Sequence, residues 1–140
     1  MTINVSSARR NKPKIIVSDV DEKRLNSLAV AVAGRMPALA DELLAELERA
    51  KIVKQHAMPS NAVRMGSKLE YSSEEGQTRQ VTLVYPGEAD IAQGKISILT
   101  PIGTALIGLS EGQSIEWTAR DERRHRLTVL SVNNNTDAAA

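Results

Sequence analysis

Ile96-Ser97-Ile98-Leu99-Thr100-Pro101-Ile102-Gly103-Thr104-Ala105-Leu106-Ile107-Gly108 changes its hydrophobic period half-way along, and the fold turns on that change. Lys95 to Leu99 carries Ile96 and Ile98 two residues apart, the period of a pleated, buried strand. From Thr100 the pattern is helical. A threonine oxygen can accept from a free amide at a helix N-cap, and proline has the preset φ of a first helical residue. Ile102, Leu106 and Ile107 then recur at helical spacing until Gly108 stops the run.

Strands are expected on both sides of this corner. Upstream, Val63 to Tyr71 reads as a strand and Glu74-Glu75-Gly76 as a turn. Arg79 to Tyr85 reads as a second strand with Val81, Leu83 and Tyr85 on one face. Pro86-Gly87 breaks the pattern, and Glu88 to Gly94 has room for one helical turn. Downstream, Glu111-Gly112 turns the chain into Ile115 to Ala119. Arg126 to Val132 returns, with Leu127, Val129 and Ser131 alternating against Thr128, Leu130 and Val132. Residues 55–132 are thus predicted to form an antiparallel sheet of four or five strands with one short helix.

Ahead of the connector that holds Pro59, the period is 3.6. Asp19 followed by Glu22 has the spacing of a capping box, and Leu25, Leu28, Ala29 and Val32 make one apolar stripe. Gly34 is suited to a left-handed helix end, and Pro37 opens a second helix in which Leu39 or Ala40, Leu43, Leu47 and Ala50 repeat at three and four. Asp41, Glu42, Glu46, Glu48 and Arg49 fall mostly off that seam. Residues 15–54 are therefore predicted to form a short antiparallel helical hairpin of coiled-coil type, an arm on the order of 22 Å long. An arm of this size depends on the module behind it, because isolated helices of such length are marginal in water. Residues 1–14, with Arg9, Arg10, Lys12 and Lys14 among polar neighbours, and residues 133–140 read as flexible tails.

At 140 residues the chain has room for one core and a small appendage. Its 41% apolar and 25% charged residues are ordinary for a packed domain. Eighteen basic against seventeen acidic residues give a net charge of +1, so any electrostatic function has to be local. The absence of cysteine removes disulfides, thiolate catalysis and cysteine-bound zinc. His56 and His125 are the only histidines and have no metal-ligand spacing, so no metal or other cofactor is expected. Nothing resembles a membrane span or a secretory leader, and a cytoplasmic monomer is the expectation.

The string Ile96 to Gly108, with its Thr-Pro-Ile step and Leu-Ile-Gly ending, resembles the signature of the C-terminal domain of the Gre transcript-cleavage factors. Met58-Pro59, Val63-Arg64-Met65-Gly66-Ser67 and Thr82-Leu83-Val84-Tyr85-Pro86 are similar, more specifically, to the Gre relatives called regulators of nucleoside diphosphate kinase. The resemblance spans Ile15 to Val132. It implies an α+β protein with an FKBP-like C-terminal domain that docks at the mouth of the RNA polymerase secondary channel, the helical hairpin pointing inward. Gre factors carry a much longer coiled coil whose acidic tip helps to hold a polymerase magnesium ion, and this arm is too short for that. The resemblance therefore implies a regulator that competes with Gre factors without stimulating cleavage, an interaction protein and not an enzyme, with no sequence-specific DNA contact and no membrane contact.

Carried residue by residue, the resemblance makes Leu99, Thr100, Pro101 and Ile102 the polymerase-gripping corner, although helix capping alone accounts for Thr100 and Pro101. Leu99 stands where Gre factors often have a polar residue, so a hydrogen bond of theirs is in doubt here. Arg35, Asp41 and Glu42 lie toward the arm tip. The two acids would face the channel, or would simply complement the dipole of the helix they begin. Arg123, Arg124 and Arg126, at a charged hairpin tip, offer a further basic contact or plain solvation. Two rival functions remain: direct control of nucleoside diphosphate kinase, and prolyl isomerisation. The second is disfavoured because Tyr71, Tyr85 and Trp117 are the only aromatic residues available to line a cavity.

Overall fold

In the computed structural model residues 12–119 and 121–134 are described; the two tails assigned from sequence lie otherwise outside the described residues. The elements in chain order are β1 (Ile16–Ser18), α1 (Asp19–Val32), α2 (Pro37–Arg49), β2 (Lys51–Val53), β3 (Lys68–Ser73), β4 (Thr78–Val84), β5 (Lys95–Ser97), α3 (Pro101–Leu106), β6 (Ser114–Thr118) and β7 (Arg124–Asn133). The architecture is mixed α+β.

Ser18, one residue before the predicted cap, caps α1: its Oγ accepts from the Asp21 amide at 3.0 Å. Asp19 instead reaches out of the helix and accepts from the Gln55 amide at 3.1 Å. Leu25, Ala29 and Val32 are buried as the stripe requires, against Ala40, Leu43 and Leu47 of α2. The turn between them is closed by the Arg35 and Met36 amides, both donating to the Val32 carbonyl. Gly34 does not take the left-handed conformation expected of it. Pro37 begins α2 as predicted.

Five strands form one sheet in the order β5-β4-β3-β7-β6. Its ladders are antiparallel except at one edge, where β5 pairs parallel with β4 and corrects the expectation of a wholly antiparallel sheet. Two three-residue 3-10 turns, Pro86–Glu88 and Ile91–Gln93, supply the crossover that a parallel pair needs. The strand predicted from Val63 starts only at Lys68. Residues 62–67 are held by other means: Val63 donates to the Leu109 carbonyl, and Gly66 to that of Leu83. In β7 a bulge between the partners of Glu70 and Tyr71 leaves Leu130 unpaired and 46% exposed. Beyond it the alternation changes phase, so Val132 and not Ser131 turns to the core.

A second, two-stranded sheet was not legible from the sequence: β1 and β2 pair in parallel, Ile16 opposite Lys51. The segment before β1 is anchored too. Lys12 pairs with Glu46, the Arg49 guanidinium donates to the Pro13 carbonyl, and Gln113 Nε2 donates to the Lys14 carbonyl at 3.1 Å. At the other end the Asn134 amide group donates to the carbonyls of Ser60 (3.0 Å) and Ala62 (2.9 Å). Lys12–Lys14 and Asn133–Asn134 are thus part of the fold and not of its tails.

Candidate protein-docking site

The corner between β5 and α3 is built almost entirely from its own hydrogen bonds. Ser97 Oγ accepts from the Leu99 amide at 2.9 Å. Thr100 Oγ1 donates to the Ser97 carbonyl at 2.8 Å and accepts from the Gly103 amide at 3.0 Å, and Thr104 Oγ1 donates to the Ile98 carbonyl at 3.0 Å. Gly103 lets the helix lie on the strand end: a Cβ there would sit 2.2 Å from the Ser97 carbonyl oxygen. Gly108, at φ +82°, ends the run against Ile15.

Of the four residues assigned to gripping, Leu99 is only 9% exposed and belongs to the core. Thr100 spends its hydroxyl on the cap. Pro101 and Ile102 are half-buried and present the corner's apolar surface. Pro101 forms one wall of a small cleft whose other walls come from α2 (Glu42, Glu46) and β6 (Glu116, Trp117), with Lys12 at its rim. The structure therefore brings Glu42 toward the Thr100–Pro101 corner. Burial pushes the Glu42 carboxyl above its ordinary range, the nearby Lys12 ammonium opposes that shift, and Glu46 adds to it.

Sequence reasoning missed Glu46. Off the seam by its position in the repeat, it is nevertheless 5% exposed, with Lys12 Nζ at 3.0 Å and Arg49 Nη2 at 2.8 Å from its carboxylate. A buried carboxylate is tolerable only when paired, and two cations from two segments meet that need. No sequence signal near Glu46 names Lys12, 34 positions away. Asp41 is exposed on α2, one turn beyond the Ala33–Met36 turn, where Arg35 is the exposed charge.

Directly after Trp117 and Thr118, which line the cleft beside Pro101, the tip of the β6–β7 hairpin is closed by the Ala119 amide donating to the Arg123 carbonyl and by Glu122 in a left-handed conformation. Arg123 and Arg124 are exposed there. Glu74, from the β3–β4 turn, accepts from the Arg126 amide at 3.1 Å and lies 3.4 Å from His125 Nδ1, and Arg126 Nη1 is 3.8 Å from Glu116. Backbone hydrogen bonds, from its own amide and that of Arg126, hold the Glu74 carboxyl below its ordinary range. Trp117 stacks on His125 with ring centres 5.1 Å apart, as sheet cover. All three arginine side chains are exposed; Arg126 differs only in its 3.8 Å approach to Glu116, with 61% of its side chain still open.

Residues 13–53 match the profile of the family described as Rnk N-terminus, and residues 58–134 that of Transcription elongation factor, GreA/GreB, C-term. A regulator of nucleoside diphosphate kinase from Escherichia coli (strain K12) is 34% identical over 130 residues, 92% of this chain and 96% of that one. The chain belongs to the Rnk branch of the GreA/GreB family. A transcription elongation factor GreA from Thermodesulfovibrio yellowstonii is 39% identical over 77 residues, but these make up only 53% of the Rnk-family chain and 48% of the GreA. Among solved structures, a transcription elongation factor GreA/GreB from Nitrosomonas europaea superposes with a TM-score of 0.69 at 37% identity, covering 87% of this Rnk-family chain and 99% of the other. These three relatives are regulators or transcription factors by name. Among the described residues no helix is long and apolar enough to cross a membrane, and no group of three or more metal-ligating side chains occurs.

Proposed function

We propose that this protein is an RNA-polymerase-binding regulator that docks at the rim of the secondary channel and competes there with Gre factors without stimulating transcript cleavage. The observation that carries the reading is the size and charge of the arm. Helices of 14 and 13 residues reach only about 20 Å. The turn between them carries Arg35 and no carboxylate. Asp41 and Glu42 stand about 6–8 Å below that turn, measured along the helix, and Glu42 lines the cleft beside Pro101. An arm of this kind, read as a helical hairpin, occupies a channel mouth but presents no acidic tip to a metal ion.

The FKBP-like module is the anchor in this reading. Pro101 and Ile102 supply the apolar contact, Leu99 and Thr100 hold its shape, and Arg123, Arg124 and Arg126 add charge. The protein acts as a cytoplasmic monomer with no cofactor, no catalytic residue and no sequence-specific DNA contact. Purified polymerase core loaded with a labelled Gre factor tests the proposal: this protein is expected to displace the label and to leave a backtracked complex uncleaved. Cleavage stimulation that is lost on substitution of Asp41 or Glu42 overturns it.

A second reading has one observation in its favour, the name of the Escherichia coli relative. Direct control of nucleoside diphosphate kinase predicts the kinase, and not polymerase subunits, in the eluate of a pull-down with this chain.

A further inference from the structure

Two carboxylates, one on each helix of the arm, are almost completely buried; Glu46 also lines the cleft beside Pro101, and Asp21 does not. Asp21 on α1 is 7% exposed and Glu46 on α2 is 5% exposed. Each binds a different piece of the protein outside the helices. Asp21 Oδ2 accepts from the Met65 amide at 3.2 Å, in the turn that leads into β3. Glu46 collects Lys12 Nζ, from the segment ahead of β1, and Arg49, whose guanidinium in turn donates to the Pro13 carbonyl. That same segment continues into β1, where the Ile16 amide donates to the Gly108 carbonyl. Both helices are therefore fastened to the sheet side at their body ends, one directly and one through residues 12–16.

We propose that Asp21 and Glu46 are the positioning residues that set the direction of the two-helix arm relative to the β-module, Asp21 as a hydrogen-bond acceptor and Glu46 as a charge. The difference in role follows from their partners. The Asp21 carboxylate is held by a neutral amide, with the Arg64 and Arg24 charges as weaker influences and the Tyr85 hydroxyl nearby, whereas both partners of Glu46 are cations in ion-pair contact. An amide oxygen in place of the Asp21 carboxylate accepts the same N–H. Glu46 meets two cations, and a neutral side chain there leaves both positive charges facing one another without a counter-charge. Arm direction is read as a distance in the free protein, so it is independent of polymerase binding.

Because the chain has no cysteine, Arg35→Cys in the helix turn and Gln77→Cys in the β3–β4 turn provide two unique spin-label sites on the full-length protein, both exposed. Pulsed electron paramagnetic resonance is expected to give one narrow distance distribution. Asp21→Asn should keep it. Asp21→Ala should raise the population of displaced distances about tenfold, as the loss of one buried hydrogen bond implies, and Glu46→Gln should do the same. A folded Asp21→Ala protein with the parental distribution overturns the proposal, and so does broadening in Asp21→Asn equal to that in Asp21→Ala. Should Asp21→Ala not fold, amide exchange in the unsubstituted protein decides: protection of Met65 like that of the β3 ladder is expected, and exchange at the rate of an exposed loop refutes the latch.

Discussion

Replacing Gly103 by alanine sets two effects of opposite sign against each other. Gly103 lies inside α3, so helix propensity alone predicts that Gly103→Ala stabilises by about 1 kcal/mol. The added methyl, however, would be 2.2 Å from the Ser97 carbonyl oxygen, 2.9 Å from Thr100 Oγ1 and 3.0 Å from Ile98 Cα. Two of these three are backbone atoms, which cannot rotate aside. Relieving such overpacking costs about 3 kcal/mol at the upper end of its usual range, and lifting the helix off the strand also breaks the Thr100 cap, worth about 1 kcal/mol. The net is a loss of about 3 kcal/mol, or a fall in Tm of about 10–15 °C for a chain of this size. Gly34→Ala is the control, since a Cβ there meets nothing within 4 Å and the backbone is not left-handed; it should hold or slightly raise Tm. Thermal unfolding followed by circular dichroism compares the two. A Gly103→Ala protein as stable as Gly34→Ala would refute the packing argument and leave propensity as the governing effect.

Thr100→Ala should lose both the cap and the hydroxyl's bond to the Ser97 carbonyl, together about 2 kcal/mol and several degrees of Tm, and Thr100→Ser should recover them. Asp21 gives a pH signature: burial holds its carboxyl above the ordinary range, outweighing the Met65 amide and the Arg64 and Arg24 charges. Folding therefore favours the protonated form, so this group's contribution is full below the unfolded carboxyl range and is lost as pH rises through the raised folded value. Asp21→Asn should then exceed the parent in urea stability at neutral pH, the gap closing on acidification; a gap independent of pH contradicts the assignment. Pro101→Asp together with Ile102→Asp should weaken binding to polymerase core with an unchanged circular dichroism spectrum, whereas unfolding would make the corner purely structural. Arg123→Glu with Arg124→Glu should weaken the same binding at low salt and have little effect at high salt, because exposed charges are screened over a Debye length.

How much could be read in advance depended on how local each signal was. The corner at Thr100-Pro101 was legible because capping and a change of period are properties of neighbouring residues. The stripes on α1 and α2 were legible for the same reason, and Leu25, Ala29, Leu43 and Leu47 are buried where they were placed. The burial of Glu46, off the seam between the helices, was not foreseen, since the cation that permits it is brought in by the chain ahead of β1. The exchange of Ser131 for Val132 on the core side came from a bulge, and a single unpaired residue reverses every later position of a strand whose period is two. Of the candidate site, the string Leu99 to Ile102 was legible as a strand-to-helix corner, but the neighbourhood of Pro101 with Glu42 and Trp117 was not.

Periodicity, capping residues and one rare apolar string thus marked the three helices and the five strands of the larger sheet, and pointed to the family; β1 and β2 they left unmarked. Only the tertiary structure decided that β1 pairs parallel with β2, that β5 joins β4 in parallel, and that Asp21 reaches Met65 across 44 positions. The physical reason is that a strand's backbone donors and acceptors are the same in every sequence, and a carboxylate is equally at home in water or beside a cation. Which partner each one meets is fixed by chain segments far away, and becomes definite only when the core has closed.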